Sequence, residues 1–425
     1  MTISSTSPKI AVIGLGYVGL PLAISLAKHF DVIGFDINQQ RIHELKAGYD
    51  RTREIREDVL RAAKLYLTSK TQDIQNQDIY IVTVPTPVDS SSQPDLSAVK
   101  SACRTVGSAM KPGAIIVFES TVYPGVTEDI CGPLLAEVSG LICGRDFYLG
   151  YSPERINPGD REHTVEKITK VVAGQTPEVA QKLKNIYGRI TSGGIFLARD
   201  IKTAEAAKVI ENAQRDINIA FINEITRIFH ALGLSVHDVL EAAQTKWNFL
   251  PFVPGLVGGH CIGVDPYYLA YCSESVGHHP QVILAGRRTN DAMGQYIADQ
   301  IIMRCQNPGA ILILGLTFKE NVPDLRNSKV IDIIRGLQSH GRQVVVHDPL
   351  ADPLEAQNEY GIELIKDMKS KAPYAAIVGA VAHQDYVGLS LENLKALLIP
   401  QGLVADVKGI WKSIALPSIY QKWQL

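Results

Sequence analysis

What this 425-residue chain lacks narrows it first. Its six cysteines, at 103, 131, 143, 261, 272 and 305, form no CxxC pair and no other metal-ligand spacing. Neither a structural metal site nor a disulfide scaffold is therefore expected, and a reducing compartment suits them. An excess of one charge is also missing: 42 Lys and Arg stand against 44 Asp and Glu, a net −2. That balance gives no reason to expect nucleic acid or an anionic membrane as partner. Long apolar runs are absent, and the stretch AAIVGAVA at 375–382 is far below the roughly 20 residues that span a bilayer. The opening MTISSTSPK has no apolar core of a signal peptide, so a cytoplasmic location is expected. What remains, 46% hydrophobic and 20% charged, describes a folded chain of two or three domains.

The first motif lies at the start. IAVIG (10–14) reads as a buried strand and runs into Gly14-Leu-Gly16-Tyr17-Val18-Gly19, followed by the helical pattern LPLAISLAKH. A second strand, DVIGFD, ends in Asp36. Strand, glycine turn, helix, strand and acid in this order cradle a dinucleotide. Gly14 permits the turn, Gly16 lets backbone N–H groups approach the pyrophosphate, and Gly19 lets helix and strand pack closely. The phosphates belong at the helix N-terminus. Asp36 is placed to accept from the adenosine ribose hydroxyls and to repel a 2′-phosphate, which favours NAD over NADP. Arg41 nearby is the residue that could instead tolerate such a phosphate.

Three further strand-like runs end in polar loops. DIYIVTVPTPV (78–88) carries Thr86, AIIVFESTVYPG (114–125) carries Thr121, and FYLGYSPERINPG (147–159) carries Glu154. Ligands of open parallel sheets bind outside the carboxyl ends of the strands, so these three residues are expected around one crevice. Taken singly, Thr121 reads equally well as a helix cap and Glu154 as a surface acid.

From Lys202 to Leu232 neither proline nor glycine interrupts the chain, and apolar residues recur every three or four positions. A single amphipathic helix of roughly 45 Å is predicted. Lys208 and Asn212 stand four apart on one of its faces. Such a pair is commonly solvated surface. Aimed at one oxygen, it stabilises the negative charge that grows as an alcohol is oxidised.

Beyond residue 308 strand-and-turn units return, in GAILILGLTFK (309–319), QVVVHDP (343–349), AAIVGAVAH (375–383) and GLVADVKGIW (402–411). NSKVIDIIRGLQSHG reads as a crossover helix between the first two. This second doubly wound domain has no GxGxxG. Lys319, Arg326 and Lys408 lie after its strand ends, where cations can meet a diphosphate.

GLGYVGLPLA, VPTP, ESTVYPG, SPERINPG, EAAKVIENAQRDINIAFINE, GGHCIGVDP and GLTFKENVPDLRNS, in this order, resemble the UDP-glucose/GDP-mannose dehydrogenase family from about residue 9 to 415. PGLVGGHCIGVDPYYL is similar to the branch acting on UDP-N-acetylhexosamines in the making of surface polysaccharides such as Vi and O antigens; the UDP-glucose and GDP-mannose enzymes more often have serine at the position of His260. The resemblance implies an α/β fold of two Rossmann-like domains joined by a long central helix and a small helical domain. It assigns 1–200 to NAD, 201–298 to a dimer-forming centre that carries the cysteine loop, and 299–425 to the UDP-sugar. A homodimer or larger homo-oligomer is expected.

The resemblance also carries over site residues. Catalytic positions fall on Cys261, Lys208, Asn212, Asp265, Glu154 and Thr121. The cofactor set comprises Gly14, Gly16, Tyr17, Val18, Gly19, Asp36, Arg41, Thr86, Thr121 and Arg326. Glu154, Arg155, Lys208, Asn212, Phe252, Gly258, Phe318, Lys319 and Lys408 are expected at the sugar nucleotide. Cys261 is the nucleophile: oxidising a C6 alcohol to a carboxylate removes four electrons, two NAD are needed, and a thiol can trap the intermediate aldehyde. Asp265 and Lys208 handle the first proton through a water, Lys208 and Asn212 hold the oxyanion, and Glu154 acts in thioester hydrolysis with water near Thr121. Which group is the first base is not legible. His260 is expected to be a bystander or a substrate contact, and His278-His279 a loop.

Three other readings stay open. UDP-glucose is one alternative substrate. A two-electron hydroxyacid dehydrogenase would share the NAD domain but needs neither Cys261 nor a third domain. A non-catalytic NAD-binding regulator has no use for Lys208, Asn212, Cys261 and Asp265 together.

Overall fold

In a computed structural model, which describes residues 7–89, 91–154 and 164–425, each strand predicted above is present. Arg155 lies outside the described residues. The chain divides into two units, one running through Glu211 and taking in Tyr267–His278, the other comprising Asn212–Pro266 and His279–Leu425.

The first unit is built on β1 (Lys9–Ile13), β2 (Asp31–Phe35), β3 (Leu65–Thr68), β4 (Ile79–Val82), β5 (Ile115–Phe118), β6 (Tyr148–Tyr151), β7 (Lys170–Gly174) and β8 (Ile195–Leu197). Their order is β3-β2-β1-β4-β5-β6-β7-β8. The first six are parallel, and β7 joins antiparallel to β6. IYIV in β4 and IIVF in β5 are buried throughout, because helices cover both faces of a parallel sheet. Each such Ile or Val side chain contributes about 1.5–3 kcal/mol on burial. The strand order reverses between β1 and β4, which opens a crevice between the loops after those strands.

The second unit holds β9 (Ile311–Leu314), β10 (Val344–His347), β11 (Tyr374–Gly379), β12 (Leu398–Asp406) and β13 (Gln421–Gln424), all parallel in the order β10-β9-β11-β12-β13. Met293, Ile297 and Ile301 pack with Val330, Ile334 and Leu337 in the core on one side, while Tyr386, Leu394 and Trp411 belong to a second cluster. Here the switch point lies between β9 and β11.

One helix runs unbroken over Ile201–Ala231, 31 residues, within one position of the predicted limits at each end. Val236–Gln244, capped by the Ser235 side chain accepting from Asp238 N–H, packs Val236 and Leu240 against Ile222 in a small separate core. Among the described residues no helix is long and apolar enough to cross a membrane.

Candidate active site

The first crevice is shaped by backbone. Gly14 has φ +96°, and its N–H donates to the carbonyl at the end of β2 (2.8 Å). A Cβ on Gly19 would lie 1.8 Å from the Gly14 carbonyl, whereas one on Gly16 would meet nothing within 4 Å. The turn is thus closed on its protein side and open at Gly16, where a pyrophosphate would approach. Val18 offers no side-chain cap to the helix Gly19–Ala27; the Leu20 N–H already donates to the Gly16 carbonyl (3.3 Å) and Pro21 has no N–H, so the helix brings its dipole to the anion site more than unused donors. Asp36 accepts from the N–H groups of Leu15 and Asn38, both at 2.9 Å. These features fit a dinucleotide. Arg41 is employed otherwise than a phosphate contact requires: it is buried, pairs with Asp50 at 2.8 Å and donates from Nε to the Leu15 carbonyl at 2.9 Å. It braces the loop that Asp36 also holds.

Thr86, Thr121 and Glu154 follow β4, β5 and β6, which are neighbours in the sheet, so all three emerge at its carboxyl edge. Ser120 Oγ donates to the Val84 carbonyl (2.7 Å) and ties the first two loops together. Glu154 is buried, and its carboxylate lies 2.5 Å from Lys170 Nζ. Its main-chain carbonyl accepts from Lys208 Nζ at 3.1 Å. Lys170 is fully buried and also reaches Glu119 at 3.2 Å, which in turn accepts from Tyr187 Oη at 2.5 Å. Burial pushes the Glu119 carboxyl up to about 7 against the pull of Lys170. Glu205, one turn before Lys208, accepts from the N–H groups of Gly125 (2.6 Å) and Thr127 (2.9 Å). Burial raises it to about 7.

In the second unit the loop from Gly255 to Asp265 is pinned at several points. Asn223 exchanges two hydrogen bonds with Gly255, at 2.9 and 3.0 Å. Gly259 N–H donates to the Asn327 carbonyl (3.2 Å), and Asn327 Nδ2 donates back to the Gly259 carbonyl (2.9 Å). At the far end Asn212 Nδ2 donates to Asp265 (2.5 Å), which is buried. Cys261 stands exposed between these anchors. The glycines are required: a Cβ on Gly258 would sit 2.6 Å from the Asn327 carbonyl, and one on Gly259 2.8 Å from the Phe318 ring.

His260 Nε2 lies 3.0 Å from Asp324, whose carboxylate also takes two bonds from the Arg326 guanidinium, at 3.0 and 2.8 Å. Burial, reinforced by the Arg326 charge, pushes the imidazole down to about 4 despite Asp324. Burial works to raise the Asp324 carboxyl, but the Arg326 guanidinium and His260 hold it low, so His260 Nε2 is the donor of this pair. Gly258, Phe318, Lys319 and Lys408 line one pocket together with Ala380 and Val381. That is the switch point of the second sheet, where a ligand is expected on topological grounds. Arg326 is held by Asp324, and Phe252 packs beside the small Ile222–Val236–Leu240 core.

Lys170, Glu119, Glu205, Asn223, Asp324 and Asn327 were given no role by the sequence reading. Glu119, Glu205, Asn223, Asp324 and Asn327 lie inside motifs that were noticed, and a lysine opening the apolar run KVVAG was a signal for a buried ion pair. Among the described residues no cluster of three or more His, Cys, Asp or Glu side chains is placed to hold a metal ion.

Comparison with known proteins gives these features a frame. Residues 8–191 match the NAD binding domain of the UDP-glucose/GDP-mannose dehydrogenase family, 202–292 its central domain and 312–413 its UDP binding domain. The chain is 51% identical to the UDP-N-acetyl-D-glucosamine 6-dehydrogenase of Pseudomonas aeruginosa, covering 94% of this chain and 96% of that one. It is 51% identical to the protein CapL of Staphylococcus aureus, over 98% and 99%. Among solved structures, a UDP-D-ManNAc dehydrogenase from Pyrococcus horikoshii superposes with a TM-score of 0.86 at 29% identity, covering 97% of this chain and 98% of the other. The chain belongs to the UDP-glucose/GDP-mannose dehydrogenase family, and as an enzyme of that family it is an NAD-dependent nucleotide-sugar dehydrogenase.

Proposed function

We propose that this enzyme oxidises the C6 hydroxyl of UDP-N-acetylglucosamine, or of its galactose epimer, to the uronic acid that surface polysaccharides use. The name of the 51%-identical relative supports the sugar. Cys261, an exposed residue on a loop held at both ends, is the observation that carries the reaction.

In this reading Gly14 to Gly19 and Asp36 hold NAD, which supplies a hydride acceptor; two equivalents per sugar account for the four electrons. Asp265, kept in place by Asn212, takes the first proton together with Lys208 through a water. Lys208 and Asn212, a turn apart on one helix, stabilise the oxyanion. The Cys261 sulfur adds to the C6 aldehyde, giving a thiohemiacetal that after oxidation becomes a thioester. Glu154 directs water onto the thioester carbonyl near Thr121, and the sulfur leaves as the thiol. Phe318, Lys319 and Lys408 hold the uridine diphosphate. Residues 1–200, 201–298 and 299–425 take the NAD, dimerisation and sugar-nucleotide roles.

We place the enzyme in the cytoplasm, a compartment that suits six cysteines without a disulfide among them. Phe221 and Ile228 of the long helix and Leu232 in the turn after it are 55, 49 and 66% exposed, a stripe that a second copy would cover. Light scattering at micromolar concentration should return a dimer or larger, and a monomer would refute the pairing.

The reaction is tested by counting NADH formed per sugar consumed. Two are expected; one would indicate a two-electron dehydrogenase, and none a regulator.

A further inference from the structure

The segment 316–330 connects two things that the reaction treats separately. At one end it carries Phe318 and Lys319 into the pocket shared with Lys408. At the other it carries Asp324 and Asn327, which bind the loop of Cys261 at His260 and Gly259. The segment is internally stiff. Phe318 N–H donates to the Asp324 carbonyl at 3.0 Å, and Arg326 donates to the Asp324 carboxylate from its backbone and its guanidinium. Asn327 has φ +52°, a backbone conformation that asparagine tolerates better than most residues, and this is where it exchanges two hydrogen bonds with Gly259.

Only close backbone approach allows this lock, since side chains at Gly258 or Gly259 would strike Asn327 or Phe318. The His260–Asp324 bond adds a third tie, strengthened because its acceptor is ionised. Neither Asp324 nor Asn327 needs to touch substrate to act. They hold the two residues before the sulfur, Gly259 by its backbone and His260 by its side chain.

We propose that Asn327 and Asp324 are positioning residues for Cys261, and that through them a nucleoside diphosphate in the pocket of Lys319 and Lys408 steadies the loop that presents the sulfur. The proposal rests on the reading that this pocket takes the UDP half of the substrate. UDP alone, which has no sugar to approach the thiol, then suffices to still the loop.

The test uses the full-length enzyme, UDP, and iodoacetamide, with alkylation of Cys261 followed by peptide mass spectrometry. In the unmodified protein saturating UDP should slow alkylation of Cys261 about five-fold, the effect of one hydrogen bond on a local opening. Asn327→Gly keeps the left-handed backbone accessible and deletes the side-chain bond. In that variant UDP should bind with unchanged affinity while its protection of Cys261 disappears, and kcat should fall about ten-fold with little change in KM. Asp324→Asn, which keeps the shape and removes the charge, should weaken protection in the same direction and serves if the glycine variant does not fold. Protection by UDP that persists in both variants would mean simple shielding and would overturn the coupling alone. No binding of UDP to the unmodified protein would overturn the pocket assignment as well, so the two failures are distinguishable.

Discussion

The two sheets begin the same way and then part. Gly14 and Gly315 both follow the first strand of their sheet, both have φ +96°, and each donates its N–H to the carbonyl that ends the neighbouring strand, at 2.8 and 2.9 Å. The next residue in each case, Leu15 or Leu316, donates its N–H to an aspartate after that neighbouring strand, Asp36 (2.9 Å) or Asp348 (2.6 Å). The surroundings of the aspartates differ. Asp36 is only half-buried, and a helix starts at Gly19. Asp348 is buried, takes three more backbone N–H groups and lies 3.1 Å from the fully buried His383. No helix follows Gly315 until Val330, and the intervening segment carries Phe318, Lys319, Asp324 and Asn327. One frame therefore serves two ends: an aspartate left open can meet a ribose, whereas an aspartate consumed by its own loop fixes that loop as a wall.

Replacing each aspartate should pull the two apart. Asp348→Ala leaves four backbone donors without their acceptor and removes one of the two partners of His383 Nε2, the other being Thr317 Oγ1; a buried donor left unmet costs about 1–3 kcal/mol. Urea unfolding should show that loss; a cost below about 1 kcal/mol would break the comparison. Asp36→Ala should be far milder for stability but should narrow the preference for NAD over NADP about ten-fold, the worth of one charge-assisted bond. An unmodified enzyme using both cofactors equally would remove the distinction, since the buried Arg41 is in no position to supply it.

The response to pH separates two buried acids. Burial would push Asp348 up, but its hydrogen bonds with His383 and the backbone hold it well below the usual carboxylate range, so its contribution is lost only in strong acid. Glu205 is raised from 4.5 to about 7 by burial. Its folded pKa is above the unfolded one, so its contribution is full below pH 4.5 and is lost as pH rises towards 7. Glu205→Gln should flatten the fall in stability between pH 5 and 8 by about 2–3 kcal/mol. An unchanged slope would show that Glu205 does not titrate there.

Much of this was legible in the chain. Apolar runs such as IYIV and ILIL are buried on both faces, so they announce themselves as parallel strands. The long helix was visible because its three- and four-residue spacing runs without proline or glycine. β13 was not visible: QKWQ has one buried residue, Trp423, and is a strand only because β12 offers it an edge. The same holds at the site. Glycine turns and the Cys261 loop can be read locally, but Lys170 meets Glu119 across 51 positions and Asn223 meets Gly255 across 32. Partners so distant leave no periodic trace. Asp36 and Asp348 look alike in sequence, each ending an apolar strand, and only the contacts around them tell their roles apart.

The measurement that tests the account most directly is uronate formation by Cys261→Ala. The open aspartate of the first sheet and the walled pocket of the second are both assigned to binding, so the variant should still bind NAD and UDP-N-acetylglucosamine with ordinary affinity while making no uronic acid. Full uronate production without the Cys261 sulfur would contradict the covalent mechanism.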